Sequence, residues 1–171
     1  AVYPEIVHPL SKAYREFVET NALKLVVDEP TFSAARLLAA VIDAHTPLDG
    51  LTDNEHGHPQ YRALDPRDRA LVRAILVTAL RYRLTIAALL ARRLEKPLPA
   101  NATALSHILH VAAAQILFLD TPDSAAVDLA VTHAKSDPRT VRFSGLVNGV
   151  LRAMARAIDR HRLERVVLDP V

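Results

Sequence analysis

For most of the chain, apolar positions recur at intervals of three and four residues, the period of a helix buried on one face. Leu10, Tyr14, Phe17 and Leu25 have this spacing within residues 10–28, and "DEPT" at 28–31 ends the run. A second helix is expected from Phe32 to Ala44, with Ala35, Leu38, Ala39 and Ile42 inward. From His45 to Gln60 the chain reads "HTPLDGLTDNEHGHPQ", which is loop chemistry with a short turn at Leu48–Leu51. Asp65 followed by Pro66 is a strong helix start, because proline loses nothing at the first helical position. This third helix is expected to bend or break near Arg83, and a fourth to run to Lys96 before "PLP". The fifth, about Ala102 to Leu119, is apolar almost all round and therefore central. "DTPDS" stops it, a sixth spans about Ser124 to Lys135, and a seventh about Arg139 to Arg160. Seven helices joined by short polar loops, with no internal repeat, predict an all-α helical bundle.

Composition supports that class. Half of the 171 residues are hydrophobic while only 5% are aromatic, a mix of Ala and Leu that favours helices over sheets. Cysteine is absent, which excludes disulfides, thiolate metal sites and cysteine nucleophiles. The start "AVYPEIVHPLSK" has neither the basic nor the apolar region of a signal peptide. The most apolar run, "VAAAQILFL" at 111–119, is too short to span a bilayer. A soluble, cytoplasmic protein without membrane partners is the expectation.

Charge changes the picture more. The formal net charge is +2, but residues 1–64 carry a net of −4 and residues 65–171 a net of +6. All but four of the 21 basic residues are arginine, whose planar fork matches phosphate oxygens two at a time. A polyanion is the partner this asymmetry suggests for the second part of the chain.

Two stretches concentrate the arginines. "LDPRDRALVRAILVTALRYR" at 64–83 carries five. Arg67, Arg69 and Arg73 interleave with Leu76 and Leu80 and do not form one stripe. One reading is structural, with Asp65 pairing with Arg69 one turn on. The other is an anion site at the helix N-terminus, strengthened by Arg67 and Arg73. On the seventh helix Asn148, Arg152, Arg156 and Arg160 recur every four residues as one polar stripe, with Arg142 just ahead of it. Phe143, Val147, Val150, Met154 and Ile158 occupy the opposite face and should be core. Gly145 and Gly149 sit within the polar arc at a cost of about 0.5–1 kcal/mol each relative to Ala. Close approach of another backbone, a neighbouring helix or RNA, is expected to offset it.

No catalytic constellation stands out. His56 and His58 lie beside Asp53 and Glu55, but in a loop without fixed geometry, so no metal site is expected. His107 and His110 fall on the apolar fifth helix and are expected to be hydrogen-bonded core residues. There is no Ser/His/Asp arrangement, phosphate-cradling glycine loop or G-x-G-x-x-G.

The segments "LDPRDRALVRAILVTALRYR", "LLARRLEKPLP", "AAAQILFLDTP", "SAAVDLAVTHAK" and "GLVNGVLRAMAR" stand in the order found in the NusB-like domain. Over about residues 32–160 the chain resembles the N-terminal RNA-binding domain of the RsmB (Sun/Fmu) family of 16S rRNA cytosine-C5 methyltransferases. The resemblance implies about seven helices in two subdomains and an RNA-positioning role. Structured rRNA would be the partner, with no role for DNA. It also implies an attached methyltransferase domain that binds S-adenosylmethionine and attacks the base with a cysteine. This chain has neither cysteine nor glycine loop, so it needs no cofactor of its own and does not perform that step. On this view residues 1–30 are an extension, 31–160 the RNA-binding domain, and 161–171 the start of a linker. The candidate RNA contacts are Arg67, Arg69, Arg73, Arg142, Asn148, Arg152, Arg156 and Arg160.

Departures point to two other readings. Gly149 resembles free-standing NusB, an antitermination factor that binds RNA with a ribosomal protein, because the methyltransferases usually have "VNAVLR". Arg152, where NusB usually has the Asp of "NGVLD", points back to the methyltransferases. Near the start of the second helix only Arg36 stands where NusB is arginine-rich, and Asp123, Ser124 and Asp128 replace the family's "PHAAVNEAV" pattern. A scaffold that docks a catalytic domain without touching RNA is the third reading.

Overall fold

The computed structural model describes residues 29–160, with Asp159 and Arg160 described by their backbone alone. The helix read over 10–28 and the linker read over 161–171 lie outside the described residues.

Helix α1 (Pro30–Ile42) starts two residues earlier than its apolar pattern, because Glu29 caps it and Pro30 opens it. The Glu29 carboxylate accepts from Thr31 N at 3.3 Å and from Thr31 Oγ1 at 3.2 Å. His45, at φ 55°, turns the chain away after the last turn. The stretch expected to be loop contains two four-residue helices, α2 (Leu48–Leu51) and α3 (Pro59–Arg62). Between them Asp53 Oδ1 accepts from Glu55 N at 2.8 Å and His56 N at 2.6 Å. Gly57 is buried here, and a Cβ on it would run into the Leu51 and Asp53 carbonyl oxygens. No other residue fits that approach.

Helix α4 (Pro66–Arg81) begins as its sequence demands, with the Asp65 carboxylate accepting from Asp68 N at 2.9 Å. It breaks at Tyr82, and α5 (Arg83–Ala91) leaves at 73° to it. The Tyr82 ring fills that corner by stacking on Phe118 at 4.2 Å. Helix α5 stops five residues short of Lys96. Its end tightens through Arg93 N to Leu90 O (2.9 Å) and Leu94 N to Ala91 O (3.3 Å). That turn lets Leu94 and Leu98 pack on the core instead of pointing along a helix axis.

Helix α6 (Thr103–Phe118) is the centre. Every residue from His107 to Leu117 is buried. Helices α1, α4 and α5 cover it from one side; α7 (Asp123–Ser136) and α8 (Ser144–Arg160) cover it from the other. These are two groups of helices sharing one core.

The seventh predicted helix begins later than Arg139. The Asp137 carboxylate holds Arg139 N at 2.8 Å, and the Asp137 carbonyl takes Thr140 N and Val141 N at 3.0 and 2.9 Å. The buried Thr140 hydroxyl donates to Ala134 O at 2.8 Å, satisfying a carbonyl at the end of α7. A 3₁₀ turn at Val141–Phe143 then leads into α8. On α8 the predicted core positions Val147, Val150 and Met154 are buried, and Leu151, which the pattern did not single out, is fully buried with them.

The glycines of α8 are a correction. Beyond the helix's own backbone, no atom of a described residue lies within 4 Å of a Cβ built on Gly145 or Gly149, so neither is needed for a described helix to come close. Among the described residues no single helix is long and apolar enough to cross a membrane.

Two substitutions test this architecture by thermal or urea unfolding. Leu109→Ala, at the fully buried middle of α6, is expected to cost about 2–5 kcal/mol. Gly149→Ala is expected to stabilise by about 0.5–1 kcal/mol, since the methyl meets open space and the helix gains propensity. A loss of stability there would mean that Gly149 has a structural neighbour.

Candidate nucleic-acid interface

The arginines divide by what they hold. On α4, Arg69 Nη2 donates to Arg62 O at 2.7 Å, and Arg73 Nη1 donates to Thr52 Oγ1 at 3.0 Å. Arg73 also approaches Asp49 at 4.0 Å. Both side chains tie the 45–62 segment to α4. The expected pair of Asp65 with Arg69 is not formed: Asp65 faces the backbone as a cap, and Arg69 turns to a carbonyl instead. Asp65 also occupies the N-terminus that an external anion would need. Arg69 Nε is buried with no hydrogen-bond partner among the described residues. Arg67 is exposed and makes no hydrogen bond or ion pair with a described residue.

Helix α8 presents a different surface. Its burial of Val147, Leu151 and Met154 turns Arg152 and Arg156 to solvent, with Asn148 half-buried between the faces. Asn148 Oδ1 accepts from Arg152 Nε at 2.8 Å, which fixes the plane of the guanidinium. Arg152 Nη2 lies 3.9 Å from Asp128 on α7, and the two side chains are 50% and 74% exposed. An ion pair that open is weak and easily exchanged. Arg156 has no partner among the described residues. Arg142 lies over the ring of Phe143 at 4.7 Å, its charge exposed. Arg160 continues the helix, and its side chain lies outside the description.

The two histidines of α6 are structural. His107 Nε2 meets Asp43 Oδ2 at 2.8 Å and is 5% exposed. His110 Nδ1 bonds Ser106 O at 2.8 Å, while its Nε2, near the Arg83 backbone, makes no well-formed hydrogen bond with a described residue. Burial chiefly lowers the His110 pKa, with the charges of His107 and Arg83 adding to it. Among the described residues no three His, Cys, Asp or Glu side chains gather as metal ligands.

One group escaped the sequence reading. Arg139 holds Asp137 through Nε and Nη2 at 3.1–3.2 and 2.7 Å. This bond lowers the Asp137 pKa and raises that of Arg139. Beside them His133 stacks on Phe32 at 4.2 Å. Burial, then the charge of Arg36, lowers the His133 pKa to about 4. These residues lie a hundred positions apart in the chain at the extremes, beyond the reach of any local spacing.

The arrangement is therefore a helical domain with exposed arginines on a rigid helix and no group of side chains set up for bond-making chemistry among the described residues. The NusB family profile matches residues 32–156, and the chain belongs to the NusB family. It is similar to Ribosomal RNA small subunit methyltransferase B of Xanthomonas campestris pv. campestris, 39% identical over 125 residues, covering 72% of this chain and 27% of that protein. The protein of the same name from Xylella fastidiosa is 37% identical over 129 residues, covering 74% and 28%. The one from Vibrio vulnificus is 29% identical over 124 residues, covering 72% and 28%. The chain thus spans little more than a quarter of these relatives' length.

The His133 and His110 shifts fix a pH dependence. Both imidazoles bind a proton more readily when unfolded, so the stability they allow is complete above about pH 6.5 and is lost as pH falls towards 4. Urea unfolding between pH 7 and 4 should show this decline, and His133→Phe should flatten part of it. An unchanged slope in the variant would remove His133 as a source.

Proposed function

We propose that this chain is a non-catalytic RNA-binding domain that holds structured rRNA for the methyltransferase domain of a longer cytoplasmic protein. The observation that carries the reading is the outer face of α8, where Asn148 orients Arg152 and Arg156 stands free one turn later. Successive turns put these guanidinium groups about 6 Å apart along the helix axis, on an element whose other face is locked in the core. With Nε engaged by Asn148, Arg152 keeps its outer N–H groups for a phosphate, which would displace the weak contact to Asp128. Arg67, Arg142 and Arg160 extend the basic surface in this reading. Arg69 and Arg73 serve it indirectly, by holding the 45–62 segment in place.

The names of the relatives support rRNA as the ligand and methyl transfer as the activity of the whole protein. S-adenosylmethionine and the reacting cysteine would belong to the part of such a protein outside this chain. Residues 31–160 would form the RNA-binding unit, preceded by an extension at 1–30 and followed by a linker at 161–171.

Phosphate contacts release counterions, so the logarithm of affinity for an rRNA hairpin should fall linearly with the logarithm of salt concentration. Arg152→Ala together with Arg156→Ala should weaken binding and lower that slope by about two, with the circular dichroism spectrum unchanged. Binding that ignores salt, or a double variant that binds as well as the parent, would refute the assignment. Loss of fold in the double variant would make the stripe structural.

A further inference from the structure

A cleft of about 80 Å³ opens between α1, the first turn of α6 and the end of α7, away from the residues assigned above to RNA. Its wall brings together Arg36, Asp43, Thr103, His107, His133 and Arg139. The formal charges of the two arginines and of Asp43 and Asp137 cancel, but the hydrogen-bonding groups do not. Asp137 is filled by Arg139, and Asp43 Oδ2 by His107. The Arg36 guanidinium has no hydrogen-bond or ion-pair partner among the described residues. One amino group of Arg139 is not used on Asp137. At Thr103 and Ala104 the first turn of α6 has no side-chain cap, so its N–H groups add donors along the same wall. The surplus is of donors; the acceptors left are the second carboxylate oxygen of Asp43 and one ring nitrogen of the neutral His133.

The geometry points to a binding site for a phosphate group held with one proton, either inorganic phosphate or a terminal phosphomonoester, the latter taking that proton from water on binding above its second pKa of about 6. Its bare oxygens meet Arg36, Arg139 and the first turn of α6, and its P–OH is donated to Asp43. A phosphodiester, or sulfate near neutral pH, has no such proton and leaves the carboxylate facing an anion. This is separate from the RNA face of α8: neither Arg152 nor Arg156 lines the cleft.

The test is an NMR titration of the full 171-residue chain with inorganic phosphate, sulfate, and a short oligoribonucleotide with and without a 5′-phosphate. Saturable shifts at the Thr103 and Ala104 amides with phosphate, and none with sulfate at equal ionic strength, are the expected result. The His133 ring should then titrate at higher pH, because an anion offsets the Arg36 charge. Arg36→Gln, at an exposed position, should keep the spectrum of a folded protein and weaken phosphate binding about tenfold or more. Competition by the 5′-phosphorylated oligonucleotide but not its 5′-hydroxyl twin identifies a nucleic-acid end as the source; binding of inorganic phosphate alone identifies the free ion. Equal shifts with sulfate, absence of shifts with every phosphate, or unaltered affinity in Arg36→Gln overturns the proposal. The variant retains Arg152 and Arg156, so failure here leaves the α8 reading intact, and loss of hairpin binding in the α8 variant leaves this one intact.

Discussion

A helix that is apolar on every side cannot lie on a surface, and that constraint on α6 organises the rest of the molecule. Its eleven consecutive buried residues, His107 to Leu117, have to be enclosed from all directions. Helices α1, α4 and α5 supply one half of the enclosure, and α7 with α8 the other. Helices α4 and α8 each have one committed face and one free face, whereas α1 is buried nearly all round over 31–38. Among the buried polar groups of α6, His107 is answered by Asp43 and Gln115 by Val111 O and Thr121, while His110 is met on one side of its ring only. The domain is built from the inside out, and its chemistry lies on what remains outside.

That division explains the two uses of arginine. On α4 the side chains at 69 and 73 lie over a long connection with little core of its own, and they bind its carbonyl and hydroxyl groups. On α8 the packing against α6 and α7 is complete without the outer face, so Arg152 and Arg156 are left with at most a loose contact. The same residue type fastens one helix to a loop and leaves another available to an anion.

Much of this was legible where local chemistry decides. The start of α4 followed from Asp65 and Pro66, the centrality of α6 from its unbroken apolar run, and the buried face of α8 from Val147, Val150 and Met154. Helix α2 was legible only as a short turn at Leu48–Leu51 and α3 not at all, because four residues make barely one turn and show no period. Nor were the partners of the α4 arginines, which lie 7 and 21 residues away across a turn and a loop. Arg36, His107 and Arg139 come together only because α1 and α7 both pack on α6. Topology, rather than spacing, made that cluster. The candidate contacts on α8 could be named from the repeat of four; that Arg69 and Arg73 on α4 were engaged elsewhere could not.

The open space around Gly149 has a practical side. The chain contains no cysteine, so a thiol introduced as Gly149→Cys would be unique among these 171 residues and would stand on α8 between the core and the arginine face. A spectroscopic label attached there would sense whatever comes to lie on that face without having displaced any neighbour to get there. An unfilled position on α8 is thereby a convenient observation post.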